Sequence, residues 1–86
     1  MTWLEELALN IREARQGERL TQRQLAQRIG MTMSAVSNYE NARRAPSLRV
    51  MSTMSSVLRM SLDDLVPLDT CEMRDDENQT TIYDFI

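Results

Sequence analysis

The chain has 86 residues, of which 42% are hydrophobic and 27% are charged, so it is long enough for one small globular domain. No apolar run approaches the roughly 20 residues that a membrane helix needs. A single cysteine, Cys71, and the absence of histidine exclude an internal disulfide and a structural zinc site, and we expect neither a metal nor another cofactor. The acidic, amphipathic start, MTWLEELALN, is unlike a signal peptide, so we expect a cytoplasmic location.

The net charge of −3 hides an uneven distribution. Residues 1–66 carry nine arginines and seven acidic residues, a net charge of +2, whereas residues 67–86 carry one arginine and six acidic residues, a net charge of −5. Every basic residue is arginine, whose forked guanidinium suits phosphate, although a compositional bias of the genome explains this equally well. The asymmetry predicts a folded domain over residues 1–66 and an acidic tail over residues 67–86.

The first predicted helix begins at Trp3, because Thr2 and Glu5 form a capping-box pattern. Gly17 is expected to end it. Trp3 either packs at the bottom of the core or lies in a contact between subunits. The apolar residues that recur along one face of this helix are Leu4, Leu7, Ala8, Ile11 and Ala14.

The segment Leu20–Glu40, LTQRQLAQRIGMTMSAVSNYE, predicts two short helices joined by a tight turn. Thr21 and Gln24 form a second capping box, and Gly30 stands where a helix ends in a left-handed residue. Thr32 caps the next helix. Its inward residues are Ala35, Val36 and Tyr39. Its outward residues are Met33, Ser34, Ser37 and Asn38. This is the pattern of a helix-turn-helix, whose second helix enters the major groove of DNA.

The segment after the helix-turn-helix predicts two more helices. Asn41–Pro46, NARRAP, is a loop that a proline closes, and Ser47 caps a fourth helix. Ser61 caps a short fifth helix that Pro67 ends. The inward residues of the fourth helix are Leu48, Val50, Met51, Met54, Val57 and Leu58. The apolar residues of the fifth helix are Leu62, Leu65 and Val66. Five helices with four short connections predict a compact all-α domain.

The tail divides into a polar stretch and a β-prone end. LDTCEMRDDENQ lacks helical periodicity and carries most of the acidic residues, which predicts a linker. TTIYDFI concentrates β-branched and aromatic residues, which predicts a short β-strand at the C-terminus. Such an end either docks on the domain, pairs with the same strand of a second subunit or binds another protein; a frayed tail without a role is the remaining alternative.

Many residues stand in the register of a known family. They are Arg15, Leu20–Gln22, Leu25–Ala26, Ile29–Gly30, Val36–Ser37, Tyr39–Glu40, Pro46–Leu48 and Ser61–Leu65. With them the chain resembles the XRE family, also called Cro/CI-type or lambda-repressor-like DNA-binding domains, from about Leu7 to Leu65. The resemblance implies a five-helix lambda-repressor-like fold and a transcriptional regulator that binds double-stranded DNA.

The resemblance also implies which residues contact DNA. The implied phosphate contacts are Gln22, Arg23, Asn41, Arg43 and Arg44. A solvated loop is the alternative for Arg43 and Arg44. The expected base contacts are the outward residues Met33, Ser34, Ser37 and Asn38. Asn38 is the best reader among them, because its amide can bond adenine at N6 and N7. The other three are short or apolar, so DNA shape is expected to contribute to selectivity.

Two further features follow from the resemblance. Arg15 and Glu40 are implied to form a partly buried ion pair that stabilises the fold. Ala42 and Arg59 stand where the family usually has glycine. Ala42 is therefore expected either to strain the loop or to send it along a different path.

The leading functional hypothesis is a repressor that binds a pseudo-palindromic operator as a homodimer, with half-sites about 34 Å apart. The predicted dimer surface combines the fifth helix with the tail strand: Leu62, Leu65, Val66, Ile82, Tyr83, Phe85 and Ile86. The alternative is the antitoxin of a toxin–antitoxin pair, in which this domain binds DNA and the tail binds a toxin. An adaptor that no longer binds DNA is a third possibility. An enzyme is not expected, because the chain lacks histidine and a glycine-rich phosphate loop.

Overall fold

The computed structural model describes residues 1–67, which form five helices. The helices are α1 (Trp3–Gly17), α2 (Gln22–Ile29), α3 (Met33–Glu40), α4 (Leu48–Val57) and α5 (Leu62–Leu65). Their number and order confirm the predicted all-α fold. The predictions for the linker and for the strand with Ile82, Tyr83, Phe85 and Ile86 lie outside the described residues. Within residues 1–67, no helix combines the length and hydrophobicity needed to cross a bilayer.

A hydroxyl residue starts every helix. The side-chain oxygens of these caps accept the backbone N–H three residues further on, at 3.0–3.2 Å, and the caps are Thr2, Thr21, Thr32, Ser47 and Ser61. The side chains of Glu5 and Gln24, three residues after Thr2 and Thr21, in turn accept the backbone N–H of these two caps. This completes the two predicted capping boxes. The backbone N–H of Thr2, and then its side chain, lower the pKa of Glu5, because these bonds favour the charged carboxylate.

The helix ends are less regular than the starts. Gly30 ends α2 with a φ of 74°, the left-handed conformation that the sequence predicts there. Arg19, Ala42 and Arg59 adopt the same conformation after α1, α3 and α4, with φ of 58–59°. Gly17 is the last helical residue of α1, but the left-handed residue is Arg19, two positions later. Three side chains therefore occupy positions that glycine would adopt at lower cost.

The core takes at least one fully buried side chain from each helix. These side chains are Leu7, Ile11, Leu25, Val36, Met54 and Leu65. Helix α2 packs against α3 and α4, and α1 packs against α3 and α5. The prediction that Leu48 points inward is wrong, because this residue is 67% exposed. Leu48 is the first residue of α4, and the neighbouring helices do not cover that end of the apolar stripe.

Two side chains of α1 hold the end of α5. The indole Nε1 of Trp3 donates to the carbonyl oxygen of Pro67 at 3.3 Å, and Nδ2 of Asn10 donates to that of Leu65 at 2.9 Å. Trp3 packs against the core, which favours the packing role over a subunit contact. The prediction that Leu65 lies in the dimer surface is corrected here. Leu65 has no exposed surface, because its side chain fills the core of its own domain. Leu62 and Val66 are half-buried.

Candidate nucleic-acid interface

The turn between α2 and α3 sets the direction of the second helix. Gly30 reverses the chain in the left-handed conformation, and the N–H of Met31 donates to the carbonyl oxygen of Ala26 at 2.9 Å. The hydroxyl of Thr32 then accepts the N–H of Ala35 at 3.0 Å, which starts α3. Only three residues separate the two helices, which is the spacing of a helix-turn-helix.

Helix α3 is divided into a buried side and an open side. Val36 and Tyr39 are buried, and Ala35 packs against the core. The four predicted base contacts lie on the open side: Met33 is 54% exposed, Ser34 is exposed, and Ser37 and Asn38 are half-buried. The side-chain amide of Asn38 makes no hydrogen bond to another residue within 1–67. The open side therefore presents a polar ridge with one apolar end at Met33.

The C-terminal end of α3 is held by a buried carboxylate. Glu40 is 4% exposed, and the Arg15 guanidinium binds it through two atoms: Nε lies 2.6 Å from Oε2 and Nη2 lies 3.1 Å from Oε1. The third nitrogen, Nη1, donates to the carbonyl oxygen of Leu20 at 2.8 Å. The two side chains that the resemblance pairs are thus in bidentate contact, and Arg15 links α1, the connection to α2 and α3.

Arg12 also contacts this end of α3, and sequence reasoning missed it. Its Nη2 donates to the carbonyl oxygen of Glu40 at 3.3 Å and to Oδ1 of Asn41 at 3.4 Å, and its Nε lies 3.8 Å from Oε1 of Glu40. The only available signal was its spacing of three residues before Arg15, which places both guanidinium groups on one face of α1. No short motif marks such a contact.

Two of the implied phosphate contacts are engaged inside the protein. The amide Nε2 of Gln22 donates to Oε1 of Glu40 at 3.1 Å. The amide of Asn41 donates to the carbonyl oxygen of Ser37 at 2.9 Å and to its Oγ at 3.2 Å, and its Oδ1 faces Arg12. The backbone N–H groups at the start of α2 are not consumed by these bonds, so Gln22 still brings a helix N-terminus to the surface.

The other implied phosphate contacts are exposed cations. Arg23 lies in the first turn of α2, and Arg43 and Arg44 follow α3. The ion pairs within residues 1–67 involve Arg12, Arg15 and Arg59, so none of these three exposed guanidiniums is neutralised there. The left-handed Ala42, with a φ of 58°, sets the path on which Arg43 and Arg44 leave the helix.

The arrangement suits a polyanion whose edges carry hydrogen-bonding groups. Exposed arginines stand before and after a ridge of short polar side chains, which is the combination that backbone and base-edge contacts to DNA require. Metal chemistry has no comparable support, because the described part of the chain nowhere gathers three histidine, cysteine, aspartate or glutamate side chains that could hold an ion.

Comparison with known proteins gives a family and a curated relative. The helix-turn-helix family matches residues 11–65, well over half of the chain. An uncharacterised HTH-type transcriptional regulator, YqaE of Bacillus subtilis (strain 168), is 33% identical over 57 residues. That match covers 66% of this chain and 49% of the relative, so the chain spans about half the length of that regulator.

Solved structures share the fold. The restriction-modification controller protein C.AhdI from Aeromonas hydrophila is 27% identical with a TM-score of 0.69, over 72% of this chain and 94% of the controller. Hydroxypropylphosphonic acid epoxidase from S. wedmorenis is 24% identical with a TM-score of 0.71, over 77% of this chain and 35% of the enzyme. The likeness to the epoxidase concerns the fold alone, because an enzyme and a controller protein both contain this architecture.

Proposed function

This chain belongs to the XRE-type helix-turn-helix family of transcriptional regulators, and we propose that it is a repressor that binds a pseudo-palindromic operator as a homodimer. It acts by occupying DNA and not by catalysis. The observation that carries the proposal is the open side of α3, where the short polar side chains include the unengaged amide of Asn38, on a helix whose C-terminal end is anchored by a buried ion pair.

Base contacts come from the four residues of the ridge. The Asn38 amide offers one donor and one acceptor, which matches N7 and N6 of adenine in the major groove. Met33, more than half exposed, offers an apolar contact for a thymine methyl group. Ser34 and Ser37 add single hydrogen bonds. Four small contacts give limited direct readout, so the shape of the operator supplies part of the selectivity.

Phosphate contacts come from both sides of the ridge. Arg23, Arg43 and Arg44 supply charge, and the backbone N–H groups at the start of α2 bind a phosphate next to Gln22. Gln22 and Asn41 are engaged with other side chains, so their contribution to phosphate binding is to position these backbone groups and the end of α3.

The proposal of a homodimer rests on the small surface with which one domain contacts DNA. One domain of this kind makes few base contacts, and two domains on half-sites about 34 Å apart double them. The subunit contact uses Leu62 of α5 and Val66 just after it, both half-buried, together with the tail residues Ile82, Tyr83, Phe85 and Ile86. In the full chain, Val66→Asp should dissociate the dimer in sedimentation experiments, whereas Leu48→Asp, an equally apolar and more exposed site on α4, should not.

The decisive experiment is selection from a pool of random duplexes, followed by titration of the selected site at several salt concentrations. The parent should select a pseudo-palindrome, and Asn38→Ala should weaken binding by about 1–3 kcal/mol and relax one base position. Arg43→Ala should weaken binding to all sequences alike and lower the salt dependence by about one released counterion. If both variants remain folded and bind as the parent does, the proposal fails.

A further inference from the structure

Asn41 is bonded in a way that leaves no freedom in its orientation. One atom of its side-chain amide lies 2.9 Å from the backbone carbonyl oxygen of Ser37, which can only accept, so that atom is the nitrogen. The other atom lies 3.4 Å from Nη2 of Arg12, which can only donate, so that atom is the oxygen. Both neighbours therefore require the same orientation of the amide.

This orientation makes the Ser37 hydroxyl an acceptor in its contact with Asn41. The Asn41 nitrogen also lies 3.2 Å from Oγ of Ser37, so Oγ accepts a hydrogen bond from the Asn41 amide. The hydroxyl proton of Ser37 has no acceptor within residues 1–67. Thr53 and Ser55 on α4 differ, because their hydroxyls donate to carbonyl oxygens of their own helix at 3.1 and 2.8 Å.

We propose that Asn41, held by Arg12, is a specificity-determining positioning residue that makes Ser37 a hydrogen-bond donor toward the DNA. This inference rests on the proposed function and deepens it. A serine hydroxyl that is free to rotate bonds donors and acceptors alike. When Asn41 donates to the oxygen, one of its two lone pairs is used and the proton is still unused, so the hydroxyl favours an acceptor on a base edge: N7 or O6 of guanine, N7 of adenine or O4 of thymine. Cytosine, which presents its N4 donor, is disfavoured at the position that faces Ser37.

The test compares base preferences of full-length variants in the random-duplex selection. Ser37→Ala identifies the position, because preference there should collapse. At that position the parent should disfavour cytosine by about three- to tenfold, the value of one hydrogen bond. Asn41→Leu should flatten the preference, because the hydroxyl is then free to rotate. Asn41→Asp should invert it, because the new carboxylate accepts a hydrogen bond from the Ser37 hydroxyl and leaves the lone pairs of Oγ facing the DNA.

The matched control is Ala45→Asp. Ala45 is exposed in the same loop, so this variant adds the same negative charge without a bond to Ser37. It should weaken binding to every sequence equally and leave the preference at the Ser37 position unchanged. Preference ratios do not depend on the fraction of folded protein, so a loss of stability in an Asn41 variant cannot imitate the effect.

The outcomes distinguish a failure of the proposed function from a failure of the Asn41 inference. A parent that selects no sequence overturns the proposed function and this inference together. A parent that selects a site whose Ser37 position is unchanged by Asn41→Asp overturns the inference alone. The same holds if Ser37→Ala alters no position of the selected site.

Discussion

The two ends of α3 differ in what holds them. At the C-terminal end, the carboxylate of Glu40 is buried and is bound by side chains from α1 and α2, with Arg15 in bidentate contact. At the N-terminal end, Thr32 caps the helix and the following residues, Met33 and Ser34, are exposed. The polar side chains that fix one end thus come from other helices, whereas the other end has one local side-chain bond.

Under the proposed function, the difference predicts that the stability of the domain depends more on the anchored end than on the exposed residues Met33 and Ser34. The anchored end determines where the helix lies on the domain, since Arg15 connects it to α1 and to the connection before α2. The open end is free of contacts that a bound duplex would need to break. Substitutions at the anchored end should therefore change the free energy of unfolding, and substitutions at the open end should mainly change binding.

The largest effect is expected at the ion pair. Arg15→Ala leaves the buried carboxylate of Glu40 with Gln22 and the more distant Arg12, and it should lower the free energy of unfolding by about 3–5 kcal/mol. Urea denaturation measures this loss. The double variant Arg15→Met, Glu40→Leu removes both charges and should cost much less than Arg15→Ala alone. Equal losses in the two variants would contradict the stranded-charge explanation.

A smaller effect is expected at the open end. Thr32→Ala removes the side-chain cap at the N-terminus of α3 and should lower the free energy of unfolding by about 1 kcal/mol. Ser34→Ala, two residues further on and exposed, is the control and should stay within about 0.5 kcal/mol of the parent. If Thr32→Ala costs as much as Arg15→Ala, the two ends are not held as differently as their contacts indicate.

The smallest effect, and a gain in place of a loss, is expected just beyond the anchored end. Ala42→Gly removes the strain of a side chain at a φ of 58° and should raise the free energy of unfolding by about 0.5–1 kcal/mol, since the greater freedom of glycine in the unfolded chain offsets part of the relief. Thermal denaturation measures the gain.

Arg59→Gly is the matched control for Ala42→Gly, because Arg59 has the same conformation after α4. Its contact with Glu18 is 3.9 Å long and exposed, so losing that contact should cost little. Both variants should gain stability by similar amounts. Only Ala42→Gly should also change DNA affinity, because Arg43 and Arg44 follow it. A loss of stability in both would show that the left-handed residues are not strained.

The local pattern of the sequence was enough to predict the helices. Hydroxyl caps such as Thr21 and Thr32, with Gly30 between them, act within three or four residues, so they are visible without knowledge of the fold. The spacing of apolar residues was less informative about which of them are buried at the ends of the helices. It placed Leu48 in the core and Leu65 on a partner surface, and both assignments fail, because periodicity gives the face of a helix and not what covers that face.

The sequence by itself determined the five helices, their caps, the helix-turn-helix and the outward residues of its second helix, since all of these depend on neighbours a few positions apart. Only the tertiary structure decided those long-range partners of polar side chains that neither a local motif nor the family resemblance pairs. Gln22 meets Glu40, and Asn41 meets Arg12, across 18 and 29 positions of the chain. The physical reason is that a long polar side chain takes whichever partner folding brings within about 3 Å, and no periodicity in the chain encodes that distance.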